Sequence, residues 1–250
     1  MRPTVSLLLL LLAADGGSST PDAGAAAALP PGAVELLPSG TPPEARLPLV
    51  IAIHGRGGNP ERFGRLVQNC AAGARIVGLR APDRWGEGYS WLESPIADTG
   101  DSPEADRAFT ALLQRRVAEL RAAIAQVVQA RPHCGDPILV GYSQGGALVL
   151  GLAATAPADL KAQYFEIAGA LPASFPLGEH LPNLIGFQGT ADQSVPYAMA
   201  EATFRRVPRS VTWTLYAYDG AGHDPPRELR ADLGDELRQA YQRACPPPKP

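Results

Sequence analysis

Lysine is nearly missing from this 250-residue chain. Lys161 and Lys249 are the only two, and arginine supplies the rest of 22 basic residues against 25 acidic ones. The formal net charge is -3, so no basic field exists of the kind that nucleic-acid binding uses. Cysteine is scarce as well, with Cys70, Cys134 and Cys245 only. There is no C-x-x-C, and His133-Cys134 has no further ligand at metal spacing, so neither a metal nor a cofactor is expected. No apolar run is long enough to span a bilayer comfortably. No charge run, internal repeat or second domain is visible.

The longest apolar run, "VSLLLLLLAA" (5–14), follows Met1-Arg2-Pro3 and has the length of a signal-peptide core. After it comes "DGGSSTPDAGAAAALPPG" (15–32), small, polar and rich in Pro and Gly, like a tether. The expected organisation is an export signal over 1–14, a low-complexity linker over 15–32 and one domain over 33–250. Export to periplasm or medium would allow one cysteine pair to oxidise. No cysteine follows the apolar run, so no stable membrane anchor is indicated.

Beyond residue 46, short apolar runs alternate with amphipathic stretches, the pattern of a mostly parallel sheet flanked by helices. Strands are expected in "LPLVIAIHG" (47–55), "ARIVGLRAP" (74–82), "PILVGYS" (137–143), "QYFEIAGAL" (163–171), "NLIGFQGT" (183–190) and "VTWTLYAYDG" (211–220). Helices are expected over 59–70, 102–130, 144–156, 194–207 and 224–245. The first starts with Asn59-Pro60, a cap and a first-turn proline. The second repeats Phe109, Leu113, Val117, Leu120, Ile124 and Val127 at spacings of three and four. Residues 83–102 read as a long irregular loop.

Within this pattern "VGYSQGGAL" places Ser143 between Gly141 and Gly145, where a strand run ends and an apolar helix begins. That is the setting of a nucleophile elbow, whose sharp turn leaves no room for side chains at the flanking glycines. A serine hydroxyl is a poor nucleophile and needs a base, itself oriented by an acid. In the order Ser, acid, His, the base is expected at His223 in "DGAGHDPP" and the acid at Asp192 in "GFQGTADQSVP". Glu166 is the reserve acid, and Asp224 is expected to cap the last helix. His54 and His133 precede the serine, and His180 sits in a loop before a strand. Oxyanion donors are expected from the backbone N–H groups of Gln144 and of Arg56 in "HGRGG".

The ordered set "HGRGG", "GYSWL", "GYSQGG", "GTADQSVP" and "GAGH" resembles the α/β-hydrolase superfamily, and within it the phospholipase/carboxylesterase group that includes acyl-protein thioesterases. The resemblance covers roughly residues 47 to 245. It implies a single-domain α/β-hydrolase fold without a large lid, and a serine esterase with nucleophile Ser143, acid Asp192 and base His223. One motif departs: Gln188-Gly189 stands where the family usually has His-Gly before the acid loop. In the family the 82–102 loop borders the acyl site, which makes Trp85, Tyr89 and Trp91 candidate substrate-binding residues. The fold analogy also implies a Cys70–Cys245 disulfide with Cys134 free, and Cys134–Cys245 as the rival. The reading is an exported carboxylesterase acting on a small-molecule or polymer ester. A polymer-acting esterase and a non-catalytic binding module of the same fold remain the alternatives.

Overall fold

The computed structural model describes residues 27–93, 102–157 and 161–246. The expected signal segment and most of the linker lie outside these residues, as does part of the 83–102 loop. Nine strands and five helices occur among the described residues. The strands are β1 (Val34–Leu36), β2 (Leu49–Ile53), β3 (Arg75–Leu79), β4 (Asp83–Trp85), β5 (Gly88–Ser90), β6 (Ile138–Tyr142), β7 (Gln163–Ile167), β8 (Leu184–Gly189) and β9 (Trp213–Tyr218). The helices are α1 (Pro60–Cys70), α2 (Pro103–Ala130), α3 (Gln144–Ala154), α4 (Tyr197–Arg205) and α5 (Arg227–Ala244).

Seven strands form one sheet in the order β1-β3-β2-β6-β7-β8-β9. Only β1 runs antiparallel to its neighbour, so the sheet is mostly parallel, as expected. β2 and β3 are buried along their whole length, which explains their unbroken apolar runs. One face of the sheet packs against α2 and α3 through residues such as Ile51, Leu113, Leu148 and Tyr164. The other packs against α1 and α5 through Val50, Phe63, Phe165, Leu233 and Leu237. This is the single-domain α/β-hydrolase architecture that the alternating pattern and the resemblance imply. α1 begins as its sequence suggests, with the Asn59 side chain accepting from the Glu61 and Arg62 N–H groups.

Three local expectations need correction. β1 escapes sequence reading because three residues show no periodicity. The stretch read as irregular contains the β4–β5 hairpin, whose Tyr89 N–H donates to Gly58 O. Residues 27–29, read as part of the linker, are held on the domain: Leu29 packs against the core, while Arg131 and Gln126 donate to the carbonyls of Ala27 and Ala28. A sequence rich in Pro and Ala reads as linker, yet these backbone carbonyls can still be bound by side chains of a body already folded.

The disulfide is Cys134–Cys245, with Cα atoms 5.5 Å apart, and Cys70 is free. The Cys70–Cys245 pairing implied by the fold analogy is therefore wrong. Its assumption was that α1 and α5 end together. α5 has 18 residues and α1 has 11. Gly234, in the middle of α5, is the residue lying against Cys70 O, and Arg238 donates to the same carbonyl. Cys245 lies eleven residues beyond Gly234, about 16 Å farther along the helix at ~1.5 Å per residue. There it meets the loop that carries the chain from α2 into β6, where Gly135, at φ 66°, passes against the backbone of Ala244.

This bond spans 111 residues, for which chain entropy gives roughly 4 to 5 kcal/mol as an upper figure. Cys134→Ser or Cys245→Ser is expected to lower Tm by on the order of 10 °C. Peptide mapping of the oxidised protein should return a Cys134–Cys245 crosslink. A Cys70 crosslink, or an unchanged Tm in both variants, would refute the assignment.

Candidate active site

The parallel strands deliver their C-terminal ends to one edge of the sheet, the usual place for a site in such folds. Ser143 emerges there from β6, in the middle of the sheet, at φ 55° and ψ -116°. A non-glycine residue adopts this region only under constraint. The constraint is crowding: a Cβ on Gly141 would strike Gly145 O, and one on Gly145 would strike Ile53 O. The turn is pinned by the Ser143 N–H, which donates to Ile167 O at 2.8 Å.

Two loops bring the partners over the serine. His223 Nε2 lies 3.0 Å from Ser143 Oγ, and His223 Nδ1 lies 2.7 Å from Asp192 Oδ2. A carboxylate can only accept, so Nδ1 carries the proton toward Asp192. In the neutral ring Nε2 is then left to accept from the serine hydroxyl. The Asp192 side chain is fully buried, while that of His223 is 23% exposed. Asp192 Oδ1 accepts from the Ser194 and Val195 N–H groups at 2.8 and 2.9 Å. Its Oδ2 also accepts from Gln188 Nε2 at 2.9 Å. The acid and histidine loops are laced together. Ala191 N–H donates to Ala221 O, Gly220 N–H to Thr190 Oγ1, and Thr190 Oγ1 to Asp219.

Tyr142, one residue before the serine, steadies the histidine loop. Its ring stands 5.2 Å from that of His223, and its hydroxyl donates to His223 O at 3.2 Å. The hydroxyl also approaches Asp224 Oδ1 at 3.5 Å. Burial and the nearby Asp224 carboxylate raise its pKa well above the ordinary tyrosine value. Asp224 thus faces Tyr142 and does not cap α5, whose N-cap is Pro226. The Pro225-Pro226 pair places the N-cap two residues later than the acid, and the helix begins at Arg227.

Arg56 and Gln144 line a cavity of about 160 Å³ together with Tyr142, Ser143, Ser194, Val195 and His223. Gln144 opens α3, so its N–H has no partner within the helix. The "HGRGG" loop runs directly beside the serine: a Cβ on Gly55 would lie 3.1 Å from Ser143 Cβ. His54 braces that loop from below. Its Nδ1–H donates to Gly55 O at 2.7 Å and its Nε2 accepts from the Ala81 N–H at 3.3 Å. Burial lowers its pKa, in keeping with this neutral double role.

The three aromatic candidates part company. Trp91 is buried; its indole N–H donates to His54 O at 2.8 Å and its ring packs on His54. It is a core residue, which corrects its assignment as a substrate contact. Tyr89 lies beneath the guanidinium groups of Arg80 and Arg84 and packs on the core. Trp85 alone is open, 47% exposed, with Arg56 stacked over it at 5.2 Å. Sequence reading also missed the Gln144 side chain. Its Oε1 accepts from Ser90 Oγ and the Trp91 N–H, and its Nε2 donates to Leu92 O. The residue after the serine thereby anchors the exit of the β4–β5 hairpin.

A model of the alpha/beta hydrolase family matches residues 50–249. NocK of Nocardia uniformis subsp. tsuyamanensis, whose esterase assignment is provisional, is 34% identical over 160 residues. That match covers 62% of this chain and 42% of NocK, so the chain spans about two fifths of the curated relative. Zea mays acyl-protein thioesterase 2 superposes with a TM-score of 0.63 at 17% identity, over 84% of this chain and 98% of that one. The Bacillus cereus carboxylesterase gives 0.58 at 16%, over 84% and 94%. At these identities the two structures speak to the fold.

Glu166, the reserve acid, stands apart from the histidine. It lies fully buried on β7, where Oε2 accepts from the Gly169 N–H at 2.9 Å and Oε1 has no partner among the described residues. Burial pushes its carboxyl up to about 8, with the Gly169 contact opposing. An acid with a raised folded-state pKa holds its proton longer in the native state than in the unfolded chain. Stability is therefore lost as pH rises from the ordinary carboxyl range through about 8. Glu166→Gln is expected to gain stability over the parent across this window and to level off above it. Urea midpoints of both proteins at a series of pH values test this. A difference constant with pH would show that the carboxyl ionises as freely as in water.

Proposed function

The chain belongs to the alpha/beta hydrolase family, and we propose that it is an exported serine carboxylesterase with Ser143, His223 and Asp192 as its catalytic triad. The observation that carries the reading is the unbroken chain of contacts from Ser143 Oγ through both nitrogens of His223 to Asp192 Oδ2. In the proposed reaction Ser143 Oγ attacks the ester carbonyl carbon while His223 Nε2 takes its proton. Asp192 holds the imidazolium that forms. The carbonyl oxygen, now negative, is met by the backbone N–H groups of Gln144, at the head of α3, and of Arg56, in the loop after β2. Collapse breaks the bond to the alkoxy group, which leaves with the proton from Nε2. Water then attacks the acyl-enzyme by the same route and releases the acid.

Carboxylic ester chemistry fits the carboxylesterase and acyl-protein thioesterase folds to which the chain is similar. Export is favoured by the Cys134–Cys245 disulfide, since such bonds persist in oxidising compartments. One observation favours a polymer-acting variant of the same reading. Trp85 is exposed beside the cavity, and an aromatic face there could stack on a sugar ring or an aromatic acid. A panel of esters graded by acyl length, with acetylated and feruloylated sugars, separates a small ester from a polymer one.

Ser143→Ala and His223→Ala should each lower kcat by at least about a thousandfold. Asp192→Asn should cost ~10⁴-fold by disturbing the histidine tautomer. A fluorophosphonate should label Ser143 in the parent and nothing in Ser143→Ala. Near-normal turnover in either the Ser143 or the His223 variant would end the proposal. An unlabelled parent would favour the non-catalytic binding module.

A further inference from the structure

Gln188 sits at the end of β8, fully buried, four residues before Asp192. Both protons of its Nε2 are in use, one toward Asp192 Oδ2 at 2.9 Å and one toward Val195 O at 2.8 Å. The two acceptors settle which end of the amide is nitrogen, since a flipped amide would set Oε1 against a carboxylate and a carbonyl. The opposite side of the group is left wanting: Oε1 is buried with no partner among the described residues. An unsatisfied buried acceptor is costly. A side chain present only to fill space would be better apolar, so the amide's value lies in the donor it presents.

That donor lands on the same oxygen that accepts from His223. We propose that Gln188 is a positioning residue for the triad: it fixes the plane of the Asp192 carboxylate and thereby the tautomer and aim of His223. No salt bridge reaches Asp192 among the described residues apart from the His223 contact. Its four donors are His223 Nδ1, Gln188 Nε2 and the N–H groups of Ser194 and Val195. The two backbone donors both bind Oδ1. Without Gln188, Oδ2 would be held by the histidine alone, the group it is meant to orient. The second bond, to Val195 O, ties the acid to a residue of the cavity wall. One amide thus couples the position of the acid to the shape of the cavity. The inference rests on the triad reading above.

Gln188→Leu keeps the bulk and removes the donor. It is expected to lower kcat about ten- to a hundredfold, the scale of losing one hydrogen bond to a buried charge, with KM changed less than about twofold. Gln188→Glu supplies the discriminating readout. Protonated, the new carboxyl can donate to Asp192 Oδ2. Ionised, it repels it. This variant should keep most of its turnover where the shared proton is held and lose it as pH rises, over a range in which the parent stays active. The charged and titratable groups around the pair are Asp192, His223, Tyr142, Asp224 and Asp219. All are present in every variant, so they cannot produce the difference. Circular dichroism and Tm report whether each variant folds, and Gln188→Glu serves alone if the leucine variant does not. Turnover within threefold of the parent for Gln188→Leu would overturn the inference. So would an effect confined to KM, or a Gln188→Glu profile of the parent's shape. Ser143→Ala in the same assay separates the two levels. If it remains active, the triad reading falls. If it is inactive while Gln188→Leu is normal, only the role of Gln188 falls.

Discussion

The site depends on one crowded backbone turn. Ser143 is held in a region of φ and ψ that costs about 1–3 kcal/mol for a side-chain-bearing residue. It stays there because β2, β6 and β7 approach too closely for anything else. Gly145 rests on Ile53 O of β2, Gly146 approaches Ile167 O of β7, and the serine N–H is bound to that same Ile167 carbonyl. The next strand repeats the device: Ala168, at φ 53°, donates its N–H to Phe187 O of β8. The strain is therefore shared across neighbouring strand ends, each of which constrains the next. The placement of Ser143 Oγ toward His223 is the outcome of packing on both sides of the turn.

The other half of the site is built from loops, and polar contacts perform there what packing performs at the turn. The acid loop and the histidine loop leave adjacent strands, β8 and β9, and are bound to each other by two backbone bonds, Thr190 N–H to Tyr218 O and Ala191 N–H to Ala221 O, and by the Thr190 hydroxyl. Gly189 permits their closeness, since a Cβ there would meet the carbonyls of Ala221 and Gly222. Tyr142 then reaches from the serine's own strand to the histidine carbonyl. The Ser143 side and the His223 side are thus joined by a residue directly next to the serine. His54, Trp91 and Gln144 form the corresponding frame on the Arg56 side.

What could be read from the sequence is what depends on order along the chain. The elbow, the acid and the histidine each follow a strand run, so the parallel sheet alone brings Ser143, Asp192 and His223 to one edge. The cysteine pairing could not be read, because it turns on how far α5 overshoots α1. Asn59 could be placed as a cap since its partners are two and three residues away, whereas Asp224 could not. Its partner, Tyr142, is 82 residues distant. Gln188 was visible only as a departure from a family motif, since its meaning comes from the turn that folds Asp192 and Val195 back onto it. Trp91 shows the limit for aromatic residues. A tryptophan beside a cleft can serve a substrate or a core, and only the carbonyl of His54 decides.

The covalent link between Cys134 and Cys245 encloses a particular part of the chain. Ser143, Asp192 and His223 all fall between its ends, as do four of the seven strands of the main sheet. A single peptide cleavage anywhere in that interval opens a ring and releases no fragment. The two pieces stay tethered at the edge of the sheet opposite Ser143, since Cys134 precedes the start of β6 and the serine follows its end. Wherever a protease meets the chain, that geometry converts a cut from a loss of mass into a nick that the fold can hold closed.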